Sequence, residues 1–342
     1  MATVYAALED RILVVRGEET AHGDDGVGTE DGWTATETLV GRDLECVAAS
    51  PDTPGRVFAG TVESGLLRST DGGHTWEAVG AFDDRVTAVT VSPHDPDTVW
   101  AGTEPSAVSR SFDGGESWAQ CGGLTDLPSA ERWSFPPRPH THHVRWLAVN
   151  PHDPAHVYVA IEAGAFVRTV DGGDTWEPHP EGARRDNHTL ATHPEAPCRV
   201  YVAAGDGYAE SPDCGGTWTY PDRGLDHRYV WGLAVDPGDP GVVVVSAASG
   251  ARRAHWPDTA QSYVYRREDG VDDRWRTAMD GLPDPEGTVR AVLAAATPGE
   301  FYALTNRGLF RSTDAAESWA ALDVEWPTSY GSQVGRGLAV VG

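Results

Sequence analysis

Lysine is absent from this 342-residue chain. All 26 basic residues are arginine, against 52 aspartates and glutamates, for a formal charge of −26. Phosphate binding needs clustered positive charge, so the balance argues against nucleic acid as a partner. Long hydrophobic runs are missing as well. No stretch approaches the ~20 apolar residues of a membrane helix, which argues against a membrane partner. Met1 to Val15 has no basic segment ahead of an apolar one, and Glu9, Asp10 and Arg11 interrupt the one candidate. A soluble, cytoplasmic protein is therefore expected. Cysteine is scarce: Cys46, Cys121, Cys198 and Cys214 show no CxxC spacing, which gives no support to a zinc knuckle. Cys198 and Cys214 fall in one repeat, and a cytoplasmic setting favours free or buried thiols there over a disulfide. No helix is evident.

What is present is a repeated phrase. Ser69-Thr70-Asp71-Gly72-Gly73-His74-Thr75-Trp76 returns at Ser111 to Trp118, Thr169 to Trp176, Ser211 to Trp218 and, worn down, Ser312 to Trp319. Each copy follows one short apolar strand and precedes another. The Asp carboxylate can accept hydrogen bonds from the turn's own N–H groups. The paired glycines permit positive φ, and the Trp opens the next strand with a large apolar body. The phrase resembles the Asp-box, or BNR, repeat of sialidase-like β-propellers. The resemblance spans nearly the whole chain and implies a propeller; the boxes themselves are structural. The lysine-free, acidic composition resembles that of proteins from salt-loving archaea, in which most carboxylates are solvated surface.

Spacing gives the blade count. Closing tryptophans stand at Trp33, Trp76, Trp118, Trp176, Trp218, Trp275 and Trp319, mostly about 42 residues apart, the length of a four-stranded blade. Prolines mark the end of each first strand (strand a): Pro51, Pro93, Pro151, Pro194, Pro237 and Pro298. The first blade (1–40) lacks that strand, and the segment 335–342 supplies one. The expected fold is all-β: a seven-bladed propeller of four-stranded antiparallel blades, one domain over 1–342, closed by the C-terminal strand pairing with the N-terminal blade. The acidic loop Gly17–Asp31, with Asp24, Asp25 and Asp31, reads as solvated surface.

Two insertions break the rhythm, 121–143 between blades three and four and 248–261 within blade six. In an up-and-down meander the b–c and d–a connections share one face, so both insertions open opposite the Asp boxes. Loops grown on a rigid scaffold are where function is usually carried. Each insertion holds Trp and Pro (Trp133 to His140, and Ala254 to Pro257), which suits a lid or a wall. Counting back eight and six from each marker Pro gives polar pairs where the a strands begin: Asp43 and Glu45, Arg85 and Thr87, His143 and Arg145, Asp186 and His188, Tyr229 and Trp231, Arg290 and Val292. Deeper positions such as Val47, Val89 and Leu147 are apolar. The pattern predicts a polar cup over a packed base.

The candidate site is an arc over blades four to six. Glu162, Asp186, His188 and Asp206 are the candidate catalytic groups, since carboxyl pairs and imidazoles do acid–base work near neutral pH. His143, Arg145, Tyr208, His227, Arg228, Tyr229, Arg252 and His255 are the candidate ligand contacts. Arg85, Arg145, Arg228, Arg252 and Arg290 can clamp a carboxylate. A divalent metal is a candidate cofactor through His142, His188 and His227. The expected task is binding or hydrolysing a small polar, glycan-like ligand. The Asp-box resemblance extends to sialidases, but no Arg-Ile-Pro motif is present, which argues against that activity. It extends equally to photosystem assembly factors and the sortilin ectodomain, so a non-catalytic scaffold for protein partners is the alternative. A metal-dependent lyase or hydrolase is a third reading, because some seven-bladed lyases place a His–Glu–metal site on the ring axis.

Overall fold

In the computed structural model of the chain, residues 2–17, 32–80 and 82–342 are described, and Asp24, Asp25 and Asp31 lie outside them. Seven antiparallel sheets form a ring. Blade one is Thr3–Ala7, Ile12–Gly17 and Trp33–Thr38, with Gly337–Val341 as its innermost strand. That last strand pairs antiparallel with the first, Thr3 opposite Val341 through Ala7 opposite Gly337, so the ring closes without an edge. Five sheets have four strands. In blades four and five the outer strand d shrinks to single bridges, Arg168 with Glu177 and Glu210 with Thr219. Among the described residues one α-helix is present, Ala251–His255, inside the second insertion. Helical periodicity could not reveal a helix of five residues. No helix among the described residues is long and apolar enough to cross a membrane.

Alternation along the strands puts apolar side chains on both faces of every blade, and each face packs on a neighbour. Trp100, Val108 and Cys121 of blade three thus meet Val157, Val159 and Val167 of blade four. The box Trp belongs to this seam: Trp176 packs on blade three, Trp76 on blade one and Trp319 on blade six. Truncating one to Ala would cost roughly 3–5 kcal/mol.

The box chemistry is uniform. Asp71 Oδ1 accepts from the N–H groups of His74 and Thr75, and its Oδ2 accepts from the Thr75 hydroxyl. Ser69 Oγ accepts from the Gly73 N–H. Asp113, Asp171, Asp213 and Asp314 repeat the arrangement. Where glycine is missing from the last copy, Ala315 and Ala316 still adopt φ of 59° and 64°, because the Asp314 bonds hold the turn.

The boxes also bind blade to blade. Arg16 donates to the Gly72 carbonyl at 2.7 Å, Arg68 to Gly114 at 2.9 Å and Arg266 to Ala315 at 2.7 Å; Arg110 reaches Gly172 and Arg168 reaches Cys214 in the same way. Each arginine sits in the third strand (strand c) of one blade and reaches the box of the next. Blade six has no box, and there the polarity inverts. Glu210 stands in the arginine's place on blade five and pairs with Arg267 of blade six. Cys198 and Cys214 form a disulfide in blade five, against the expectation of free thiols. Cys214 replaces the first glycine of its box, and its N–H donates to the Cys198 carbonyl at 2.6 Å, which brings the two side chains together.

The box carboxylates predict an acid response. Hydrogen bonds from Ser117 and Thr175 hold Asp113 and Asp171 down at about 2, and Asp71 lies lower still. A depressed folded-state pKa stabilises the fold above the unfolded carboxyl range and loses that contribution as pH falls through the folded value. The thermal-midpoint gap between wild type and Asp171→Asn should therefore narrow between about pH 5 and about pH 2. A gap constant across that range would refute the role given to the box.

Candidate functional site

Five blades carry the same irregularity where strand a meets strand b. The register slips between Leu44 and Cys46, Val86 and Ala88, Val144 and Trp146, Asn187 and Thr189, and Val230 and Gly232. Each slip leaves one extra residue: Glu45, Thr87, Arg145, His188 and Trp231. A β-bulge re-aims a side chain and leaves that residue outside the ladder. Four of the five line one cavity of about 710 Å³ on the face opposite the Asp boxes, and His188 lies buried just behind its wall. Arg85, His143, Asp186, Tyr229, Arg290 and Arg336 join them from the same rim. The seven blades meet on the axis, so one residue near each strand's start is enough to build the cup. Beneath it, Val47, Ala88, Val89, Leu147 and Leu338, with Arg145 and Arg336, line a smaller space of about 230 Å³ where a packed base was expected.

Both insertions wall the cup. Phe135 to Arg138 come from the first, and Ala251, Arg252, His255 and Trp256 from the second. Trp133 is buried and anchors its insertion in the core, whereas Trp256 is 58% exposed at the rim with the Arg252 guanidinium 5.0 Å from its ring centre.

A chain of charges runs along one side. Arg138 grips Glu104 with two bonds of 2.6 and 2.5 Å. His143 lies 2.9 Å from Glu162 through Nε2, and Arg145 Nε stands 3.6 Å from the same Glu162 oxygen. Burial pushes the Glu162 carboxyl up, but the His143 hydrogen bond and nearby positive charge prevail and hold it at about 2. Asp186 beside it moves the other way, to about 6, through burial and the Glu162 charge. His188 donates from Nδ1 to the Val230 carbonyl at 2.7 Å, and burial lowers it to about 4.

A positive group adjoins this chain across the Trp231 ring, on which both His188 and Arg290 pack. Arg290 is 1% exposed, and no carboxylate lies within ion-pair distance among the described residues. Its Nε donates to His255 Nδ1 at 3.2 Å, its centre lies 4.1 Å from the Trp231 ring, and its Nη1 has no partner. Accepting that bond at Nδ1 fixes His255 as the neutral Nε2–H form, which meets the Tyr229 hydroxyl at 3.1 Å. Burial and Arg290 together lower His255 to about 2. Six arginines and four carboxylates line the cup, so a net-positive hollow sits on a molecule of charge −26.

Of the sequence-predicted residues, Arg85, His143, Arg145, Glu162, Asp186, Tyr229, Arg252, His255 and Arg290 line the cavity together. The others do not reach it. Asp206 is 46% exposed beside Arg184, and Arg228 is exposed and paired with Asp222. Tyr208 is buried in the seam between blades five and six, bonded to Glu210, because strand c points it away from the axis. His142 sits edge-on to Trp133, and His227 stacks on Tyr263 with its Nδ1 bonded to Tyr265. The metal set His142, His188 and His227 is therefore not assembled; His188 instead faces Glu162 and Asp186. Sequence reasoning did not assign Glu104, Arg138 or Arg336 to the site. A signal for Glu104 existed: it stands four residues after Trp100, as Glu162 stands four after Tyr158.

No family model matches the chain, and no curated protein does. Solved structures match it widely. A GH74 xyloglucanase from Xanthomonas campestris aligns at 20% identity over 81% of this chain and 45% of its own, with a TM-score of 0.62. An ancestral GH74 enzyme aligns at 18% identity over 78% of this chain and 36% of its own, with a TM-score of 0.61. The chain thus spans less than half of either glycosidase. YCF48 bound to D1 peptide aligns at 19% identity over 83% of both chains, with a TM-score of 0.58. At these identities the likeness shows the propeller fold alone.

Arg290 yields a prediction of its own. A guanidinium keeps its proton in a protein, so its burial without an anion costs free energy. Arg290→Met should stabilise the ligand-free protein by about 1–3 kcal/mol, read as a higher denaturant midpoint. A loss of stability instead would show that the Trp231 and His255 contacts outweigh the desolvation.

Proposed function

We propose that the axial cup binds a small acidic, glycan-like ligand, and that the Glu162–Asp186 wall hydrolyses it. The observation that carries this reading is Arg290, a buried guanidinium in the wall of the hollow whose Nη1 has no partner among the described residues, in an otherwise acidic protein. A carboxylate on the ligand would supply the missing counter-charge, with Arg145 on the same Trp231 ring at 4.8 Å. The rim suits a sugar. Phe135, Pro136, Pro137 and the exposed Trp256 offer flat apolar surface for a pyranose face, and Glu45, Thr87 and Tyr229 offer polar contacts for hydroxyls. Glu162 and Asp186 are the carboxyl pair on the wall, and glycosidic cleavage commonly uses two such groups. The fold likeness to GH74 enzymes is compatible with this reading and does not carry it.

Calorimetric titration with trigalacturonate and with a neutral trisaccharide of the same length tests the proposal. The acidic sugar should bind at least about tenfold more tightly, and Arg290→Met should remove that preference. Release of reducing ends should be lost in Glu162→Gln. Equal affinity for both sugars, or none for either, would overturn the reading.

A second reading draws on the length match to YCF48 bound to D1 peptide. Under it the same cup holds the carboxylate of a peptide and no bond is cleaved. An acidic peptide that binds where trigalacturonate does not would favour it.

A further inference from the structure

His188 presents an unusual arrangement. It is 0% exposed, and its Nδ1–H is committed to the Val230 carbonyl at 2.7 Å. The Nε2 lone pair therefore points away from that bond, and no hydrogen-bond partner among the described residues meets it. What it faces is Asp186 Oδ1 at 3.7 Å and Glu162 Oε1 at 3.9 Å. All three are acceptors. An imidazole lone pair and two carboxylate oxygens converge, with the Ala163 N–H donating to the same Asp186 Oδ1, and all three lie within 4.8 Å of one another. Such a cluster calls for a cation at its centre.

We propose that Glu162, Asp186 and His188 bind a first-row divalent metal ion, zinc or manganese by donor type, with its remaining positions open to the cup. The supporting shell is already in place. A metal-binding histidine usually donates its other ring N–H to a carbonyl or carboxylate, which fixes the tautomer, and His188 does so through Val230. Glu162 divides its oxygens: Oε2 takes His143 at 2.9 Å, which leaves Oε1 for the ion. Asp186 is oriented by the Ala163 N–H at 3.1 Å. Ligand atoms around a tetrahedral zinc lie roughly 3.4 Å apart, so the 3.7 and 3.9 Å pairs, and the Glu162–Asp186 pair that lies within 4.8 Å, would close onto an ion by side-chain adjustment. One nitrogen with two carboxylates suits borderline zinc and oxygen-seeking manganese better than soft copper(I), which prefers sulfur, or calcium, which prefers an all-oxygen shell. The two carboxylates balance the ion's charge; a bound ion would occupy both, so the free acid–base role proposed for them above applies to the ion-free protein.

Cobalt(II) in place of zinc gives a spectroscopic test that needs no saccharide, so its failure is separable from failure of the ligand reading. The purified wild-type protein, stripped with chelator, should take up one equivalent of cobalt with visible bands of a low-coordinate site. Zinc should displace it, with a rise in thermal midpoint that calcium does not reproduce. Affinity should fall at least about 100-fold in His188→Gln and in Asp186→Asn. The second variant sits at the cup surface and keeps the test sound if the buried His188 variant fails to fold. Asp206→Asn, outside the cluster, should bind as wild type does. Absence of stoichiometric uptake by the folded protein, or uptake unchanged in Asp186→Asn, would overturn the proposal.

Discussion

The ring depends on one contact repeated around it: a guanidinium from strand c of one blade on the Asp-box carbonyl of the next. Arg16, Arg68, Arg110, Arg168 and Arg266 all make it. The box turns its carbonyl outward because its Asp has taken up the turn's N–H groups, and the arginine's fork reaches it across the seam. Residues of the same type can also serve the opposite face. Arginine carries the whole cationic load of this chain, and its copies divide between two tasks. On the box face they join blades; on the other face they line the cup. The inversion at Glu210 and Arg267 shows the rule by its exception, since blade six offers no box and the charges change places.

The C-terminal strand completes what these contacts begin. With Gly337–Val341 paired to Thr3–Ala7, every blade has two neighbours and the a strands are locked around the axis. Locked strands can tolerate a bulge each. The register slips that aim Glu45, Thr87, Arg145 and Trp231 at the cavity break ladder pairing in the same place four times, and the surrounding ring holds them. Structure and site are thus separated by face: hydrogen-bonded turns on one, bulged and charged strand starts on the other.

Much of this was legible in the sequence. The box phrase and the Trp and Pro spacing yield seven blades and the closing strand, because turn chemistry is local and each box reads the same way. The count back of six lands on the bulged residues themselves for five of the six marker prolines, Glu45, Thr87, Arg145, His188 and Trp231. That column came out right because the bulge sits at a fixed distance from the a–b turn. Selection within the face was harder. Tyr208 and His227 share the loop-rich face in sequence, but strand c and the blade-six seam turn them toward tyrosines and glutamate instead of the axis. Which histidine meets which carboxylate depends on contacts between blades, and the 42-residue repeat does not encode them. The five-residue helix Ala251–His255 and the Cys198–Cys214 disulfide escaped for the same reason, since both are set by what packs beside them.

The central claim is that the bulged strand starts form a ligand site on the ring axis. A crystal structure of the protein soaked in trigalacturonate tests it most directly. The account predicts density in the cup, with a carboxylate against Arg290 and a sugar ring near Trp256. Density confined to the Asp-box face or the outer flanks of the blades, with the cup holding only solvent, would contradict it.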